Sequence, residues 1–215
     1  MAQALNNYMN LPELHSNEFL PIIDELYTIQ GEGYHTGKPA YFIRIGGCDI
    51  GCNWCDTKIS WNPDIHKKVS IDEIVEKAKT YKTNDIVVTG GEPTMHNLDL
   101  FCAKLKKNNF TTYLETAGNH KLTGIWDWIC LSPKEKSPPL NEIYLKANEL
   151  KVIIFNKEDI EWAEEVSEKV GKKCKLYLQA EWSKFNSITP FIVDYVKNNI
   201  KWSISIQAHK FMKIP

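Results

Sequence analysis

Short apolar runs rich in β-branched residues alternate along the chain with stretches of helical period. The pattern predicts strands at Tyr41 to Ile45, Ile86 to Thr89, Thr111 to Leu114, Trp126 to Leu131, Leu150 to Phe155, Cys174 to Gln179 and Trp202 to Gln207. Between them it predicts helices at Ile71 to Thr80, Leu98 to Lys107, Leu140 to Ala147, Lys157 to Val170 and Ile188 to Asn198. Ser70 followed by Glu73 reads as a capping box opening the first helix. Buried strands alternating with helices predict an α/β fold with a mostly parallel sheet, curved or closed into a partial barrel. In such folds chemistry gathers where strands end and loops begin.

The 215 residues suit one domain, 1–215, whose first 20 residues form an extension. Within that extension Asn6, Asn7, Leu11 and Pro12 suggest a loose arm or a dimer contact. Composition is that of an ordinary soluble protein, with 43% hydrophobic and 25% charged residues. No apolar run reaches the roughly 18 residues of a membrane span. The first basic residue is Lys38, after five acidic ones, which argues against secretory and mitochondrial leaders and for the cytoplasm. A net charge of -1 gives no electrostatic reason to expect nucleic-acid binding. Of the 26 basic residues, all but Arg44 are lysine. A lone guanidinium in a lysine-rich chain suits two-pronged recognition of a carboxylate or phosphate, for which lysine is a poor substitute.

Two motifs carry chemistry. Cys48, Cys52 and Cys55 stand together just after the predicted strand at Tyr41. In a reducing compartment they are not a disulfide set. A structural zinc site needs a fourth ligand, His35 or His66. A redox dithiol from Cys52 and Cys55 leaves Cys48 unexplained. An iron–sulfur cubane takes three thiolates and keeps one iron open. Gly46, Gly47 and Gly51 permit the tight turns such a loop requires. Cys102, Cys130 and Cys174 fall within predicted elements and read as inert core residues, and His15, His96 and His120 as surface or helix-end residues. The second motif, Thr89-Gly90-Gly91-Glu92-Pro93, ends a strand. Its glycines admit close backbone approach to a ligand, and Glu92 is an acceptor for a cationic amine.

Cysteines spaced by three and two residues, followed about 35 residues later by Gly-Gly-Glu-Pro, resemble the radical S-adenosylmethionine enzymes. That resemblance implies a [4Fe-4S] cluster on Cys48, Cys52 and Cys55, S-adenosylmethionine bound at the open iron, and cofactor contacts from Gly91 and Glu92. In that family the cluster reduces the cofactor and releases a 5′-deoxyadenosyl radical. Further segments, among them Thr28 to Gly33, Phe42 to Arg44, Cys55 to Thr57, Ser132 to Lys134, Ser205 to Lys210 and the terminal Ile214-Pro215, are similar to the 7-carboxy-7-deazaguanine synthase branch.

This second resemblance implies a lyase that converts 6-carboxy-tetrahydropterin to a deazapurine with loss of ammonia, toward queuosine. It assigns Ile29, Gln30, Gly31, Glu32, Arg44, Thr89 and Pro215 to the substrate and Ser132, Pro133, Lys134 and Gln179 to the cofactor. It further assigns Thr57 to a magnesium ion, and implies a flavodoxin or ferredoxin as reductant and a homodimer. One departure is Ala117, where that family more often has Asn. A glycine-radical activating enzyme shares the cysteine loop, and a zinc-stabilised binding module is the non-catalytic rival.

Overall fold

The computed structural model describes residues 18–215. Nine strands form one sheet: β1 (Phe19–Ile29), β2 (Pro39–Ile45), β3 (Lys67–Ser70), β4 (Asp85–Gly90), β5 (Thr111–Thr116), β6 (Trp128–Leu131), β7 (Glu149–Ile154), β8 (Lys175–Ala180) and β9 (Trp202–Ser205). Their order is β3-β1-β2-β4-β5-β6-β7-β8-β9. The first three are antiparallel, and from β2 onward every pair is parallel. The sheet curves without closing. The Ala208 N–H reaches back to the Gly31 carbonyl at 2.8 Å and the Gly33 N–H to Ser205 Oγ at 3.0 Å, so the segments beyond the two ends meet.

Six α-helices accompany it: α1 (Ile71–Ala78), α2 (Asp99–Lys107), α3 (Asn141–Lys146), α4 (Asp159–Ser167), α5 (Phe185–Asn198) and α6 (Ala208–Met212). α1 buries Ile71, Ile74, Val75 and Ala78, an i, i+3, i+4, i+7 stripe, against the outer sheet face. Ser70 Oγ accepts the Glu73 N–H at 3.1 Å, but Glu73 pairs with Lys67 instead of returning to Ser70, whose backbone belongs to β3. Half of the predicted capping box exists. Two apolar layers result, one under α1 and α2 around Tyr41, Ile43, Ile86 and Phe101, the other under α3 to α5 around Leu131, Leu150, Val152 and Leu178.

The first strand of the fold was not among those predicted. β1 has an irregular burial pattern, because a register shift between Ile22 and Asp24 interrupts its alternation. Trp126 and Asp127 stay outside β6, since the Trp126 indole N–H is bound to the Thr123 carbonyl and Asp127 accepts the Thr112 N–H. α4 is shorter than its pattern because Asn156 and Asp159 cap each other's backbone N–H ahead of it. Cys174 lies in the turn before β8 and is half-buried, unlike the fully packed Cys102 and Cys130. The arm predicted around Asn6 to Pro12, and His15, lie outside the described residues.

Candidate active site

Side chains alternate across a strand, so one residue in two on each parallel strand faces the inside of the curve. A cavity of about 400 Å³ opens there. It is lined by Cys48, Cys52 and Cys55, and by Ile29 to Glu32, Arg44, Thr57, Thr89, Gly91, Glu92, Ser132, Lys134, Gln179 and Pro215. Of the residues that the resemblance assigns to cluster, magnesium, cofactor or substrate, Pro133 alone does not line it.

The cysteine loop leaves β2 through Gly46 and Gly47. Main-chain bonds fix it: Gly46 N–H to the Pro21 carbonyl at 2.8 Å, Gly47 N–H to Ser60 at 2.7 Å and Cys48 N–H to Trp61 at 3.2 Å. From the neighbouring strand end, Gly91 N–H reaches Ile45 at 2.9 Å and Glu92 N–H reaches Gly47 at 2.7 Å. His96 stands at a helix end, as expected, capping the short 3-10 turn Pro93–Met95, and from there binds the Gly46 carbonyl at 2.8 Å and pins the loop. His120 does sit at the surface, paired with Asp49 at 2.9 Å.

The three thiols line the wall of one cavity. Among the described residues no three His, Cys, Asp or Glu side chains gather closely enough for one metal ion. His66 Nε2 is committed to the Ile59 carbonyl at 2.9 Å, and His35 lies among Tyr34, Tyr113 and Trp128. The described residues therefore provide no closed four-ligand zinc site. A cubane takes each thiolate on a different iron, and three thiols from one loop lining one cavity fit that demand. Burial raises the Cys48 and Cys52 thiols above their ordinary range, so both need a metal to be thiolates at neutral pH.

Glu92 is 1% exposed and serves as a hub. One carboxylate oxygen accepts the Thr94 N–H at 3.0 Å and the Thr94 and Thr116 hydroxyls; the other accepts the Ala117 N–H at 2.7 Å. The expected acceptor for a cofactor amine is thus largely occupied by the protein, with only Oε2 offering an unspent lone pair to the cavity. Ala117 contributes through its backbone. Lys134 donates to Ser132 Oγ at 2.9 Å and lies over the Trp54 ring at 5.5 Å, which ties the segment after β6 to the cysteine loop. Burial lowers its ammonium below the ordinary lysine range.

Arg44 has a partner within the protein. Its Nε donates to Asp24 at 3.3 Å across the β1–β2 pair, so one edge of the guanidinium is already paired. Among the described residues its two terminal nitrogens meet no protein acceptor, and the side chain lines the cavity. Gln179 is likewise engaged by protein, donating to Glu32 at 3.2 Å and accepting from Ser205 at 2.5 Å. Gln30 donates to Glu115 at 3.0 Å and accepts the Glu32 N–H at 3.1 Å. The Thr57 hydroxyl donates to Asp56 at 3.0 Å, which leaves its lone pairs outward. Thr28 Oγ1 donates to the Pro215 carbonyl oxygen at 3.2 Å and holds that residue in the wall.

The floor contains residues to which the sequence assigns no role: Glu115, Lys151, and Gln207 and His209 from the family-like segment Ser205 to Lys210. Lys151 pairs with Glu32, and Gln207 donates to the other Glu32 oxygen at 2.9 Å. Burial alone would raise the Glu32 carboxyl, but Lys151 and the two amides carry it down to about 2. Burial penalises the Lys151 charge, yet Glu32, Glu115 and Glu149 together hold its pKa above the ordinary range. The signal available in the sequence was a charged residue inside each of two apolar strands, Glu115 and Lys151.

A loop offering three thiols to one cavity, beside a Gly-Gly-Glu strand end on a curved parallel sheet, is the arrangement of a radical S-adenosylmethionine enzyme. The family model of the Radical SAM superfamily matches residues 42–129. Similarity extends much further. The chain is 54% identical over 202 residues to the 7-carboxy-7-deazaguanine synthase of Flavobacterium psychrophilum, covering 94% of this chain and 96% of that one. It is 43% identical to the Synechocystis enzyme of the same name, over 90% of this chain and 93% of that one. The crystal structure of QueE from Escherichia coli superposes with a TM-score of 0.80 at 30% identity, covering 89% and 95% of the two chains. The chain belongs to the 7-carboxy-7-deazaguanine synthase family.

Proposed function

We propose that this chain, acting as one domain over 1–215, is a carbon–nitrogen lyase that converts 6-carboxy-5,6,7,8-tetrahydropterin to 7-carboxy-7-deazaguanine with loss of ammonia. The product would serve queuosine and related deazapurine biosynthesis. The observation that carries this reading is one cavity lined at once by the three thiols, the Gly-Gly-Glu strand end, Gln30 to Glu32, Arg44 and Pro215. That combination suits a small molecule with a carboxylate and a hydrogen-bonding heterocycle held beside a cofactor site. It does not favour a glycine-radical activating enzyme, whose partner is a protein segment.

Cys48, Cys52 and Cys55 would hold the cluster, with Gly91, Glu92, Ser132, Pro133, Lys134 and Gln179 around the cofactor. Bound there, cluster and S-adenosylmethionine supply one-electron reductive cleavage and hydrogen abstraction. The protein's work is orientation and exclusion of water. Glu32, ionised and fixed by three donors, accepts from the amino-bearing edge of the heterocycle. Arg44 presents its terminal nitrogens to the carboxylate. Ile29, Gly31, Thr89 and Pro215 enclose the ring. The Thr57 and Asp56 oxygens suit magnesium, a hard cation that keeps much of its water. A flavodoxin or ferredoxin as electron source, a homodimer and a cytoplasmic location complete the proposal; no helix of the described residues is long and apolar enough to cross a membrane.

The test is anaerobic incubation of reconstituted protein with the pterin, S-adenosylmethionine, magnesium and a reductant, followed by mass spectrometry. Formation of 7-carboxy-7-deazaguanine with one ammonia per turnover is expected. Cofactor cleavage without that product would overturn the assignment.

A further inference from the structure

Lys151 lies on β7, 4% exposed, between Leu150 and Val152, which pack outward into the apolar layer. Its own side chain faces the other way and lines the cavity. An ammonium carries three N–H donors. Among the described residues the Lys151 ammonium meets a single acceptor, Oε2 of Glu32. Glu115 and Glu149 surround the charge, and neither forms an ion pair with it. Two donor positions are therefore unspent on a buried group, an expensive state unless a ligand or water fills them.

Glu32 is its mirror image. Lys151 and Gln179 occupy Oε2, Gln207 occupies Oε1, and Oε1 keeps acceptor capacity toward the cavity. A charged donor and a charged acceptor thus stand side by side on the floor. An amino-pyrimidinone edge presents the complementary order, a ring N–H and an exocyclic amine beside a carbonyl oxygen. We propose that Lys151 is a specificity-determining residue of the substrate site. It donates to the ring carbonyl while Glu32 accepts from the amino-bearing side, so the pair selects a 2-amino-4-oxo edge over one with an amine in place of the carbonyl. The inference rests on the pterin reading above.

A purely structural ion pair would change stability and treat both edges alike. A site built to bond a carbonyl rejects the analogue that presents a donor there, because two donors then face each other. Equilibrium binding to the anaerobically reconstituted enzyme distinguishes these cases. The probes are 6-carboxy-tetrahydropterin and its 2,4-diamino counterpart, against wild type, Lys151→Arg and Lys151→Met. Wild type should prefer the oxo compound by about a hundredfold, and Lys151→Met should lose roughly ten- to hundredfold in affinity for it. Affinity of Lys151→Met for the diamino compound should stay within about threefold of wild type or improve, and Lys151→Arg should retain a preference for oxo. Because removing one member of a buried pair strands the other, Glu32→Gln combined with Lys151→Met provides a neutral floor should the single variant fail to fold. In that background the two compounds should bind nearly equally. Preference for oxo that survives loss of Lys151, or equal weakening of both compounds, overturns the inference. Wild-type enzyme that binds the pterin without discriminating overturns this inference alone, whereas enzyme that binds neither compound overturns the pterin reading with it.

Discussion

At the rim of the cavity the geometry is made by main chain; at the floor it is made by side chains. The rim is a lattice of backbone bonds among Gly46, Gly47, Cys48, Gly91 and Glu92, drawn from two adjacent strand ends. It has no room to spare, since a Cβ on Gly91 would lie 2.2 Å from the Gly47 carbonyl oxygen. The floor is a set of charges and amides, with Lys151, Gln179 and Gln207 converging on Glu32 from three separate strands or their ends. A rim of that kind depends mainly on main-chain geometry. The floor tolerates changes of shape but depends on which groups are ionised.

The sharpest break is expected at the rim. Cys48→Ala, Cys52→Ala or Cys55→Ala should each abolish cofactor cleavage, because a cubane on two protein thiolates is poorly held; Cys102→Ala, in the packed layer, should keep activity nearly intact. Iron content and cleavage assays read this, and a loop variant that retains both would refute the ligand set. Gly91→Ala should come next, losing about 3 kcal/mol or more of stability together with cluster content, since the methyl meets backbone and not a flexible side chain. Thermal unfolding beside iron analysis checks it.

Arg44→Lys keeps the contact with Asp24 within reach but cannot reproduce the fork. Substrate affinity should fall by roughly one to two powers of ten while cofactor cleavage without substrate persists. Unchanged affinity would make the lone arginine a feature of composition alone. The floor should show itself in acid. The folded Glu32 carboxyl titrates at about 2 against an ordinary 4.5, so its ionised form stabilises the fold above about pH 4.5. That contribution fades as pH falls toward 2, and Glu32→Gln should flatten this limb of a stability-against-pH curve. The smallest effect belongs to Thr57→Val, a few-fold slower turnover with a weaker magnesium response and an unaltered iron–sulfur spectrum. An unaltered magnesium response would assign Thr57 to packing.

Rim and floor also differ in how far they could be read from the chain. The cysteine loop and Gly-Gly-Glu-Pro are each contiguous, so both stand out in the sequence, and the family resemblance implies their roles. The parallel strands were legible because burial on both faces makes them continuous apolar runs, as in Ile86-Val87-Val88. β1 was not, because it is antiparallel with one irregular face and a register shift. Lys151 and Glu115 were invisible for a different reason. Inside strands such as Glu-Leu-Lys-Val-Ile-Ile, a charge marks the inner face only once the sheet is known to curve around a cavity. Arg44 was found by its rarity, while its Asp24 partner depended on a pairing that was not foreseen.

The bond from Gln207 to Glu32 joins positions 175 residues apart. A ribosome adds about 5–20 residues each second, so the Gln207 codon follows that of Glu32 by about 9–35 s. For most of that interval the segment carrying Cys48, Cys52 and Cys55 is already synthesised, and the partner that completes the Glu32 floor is not. The groups that complete the floor are therefore among the last of this chain to be made, well after the thiols they lie beside.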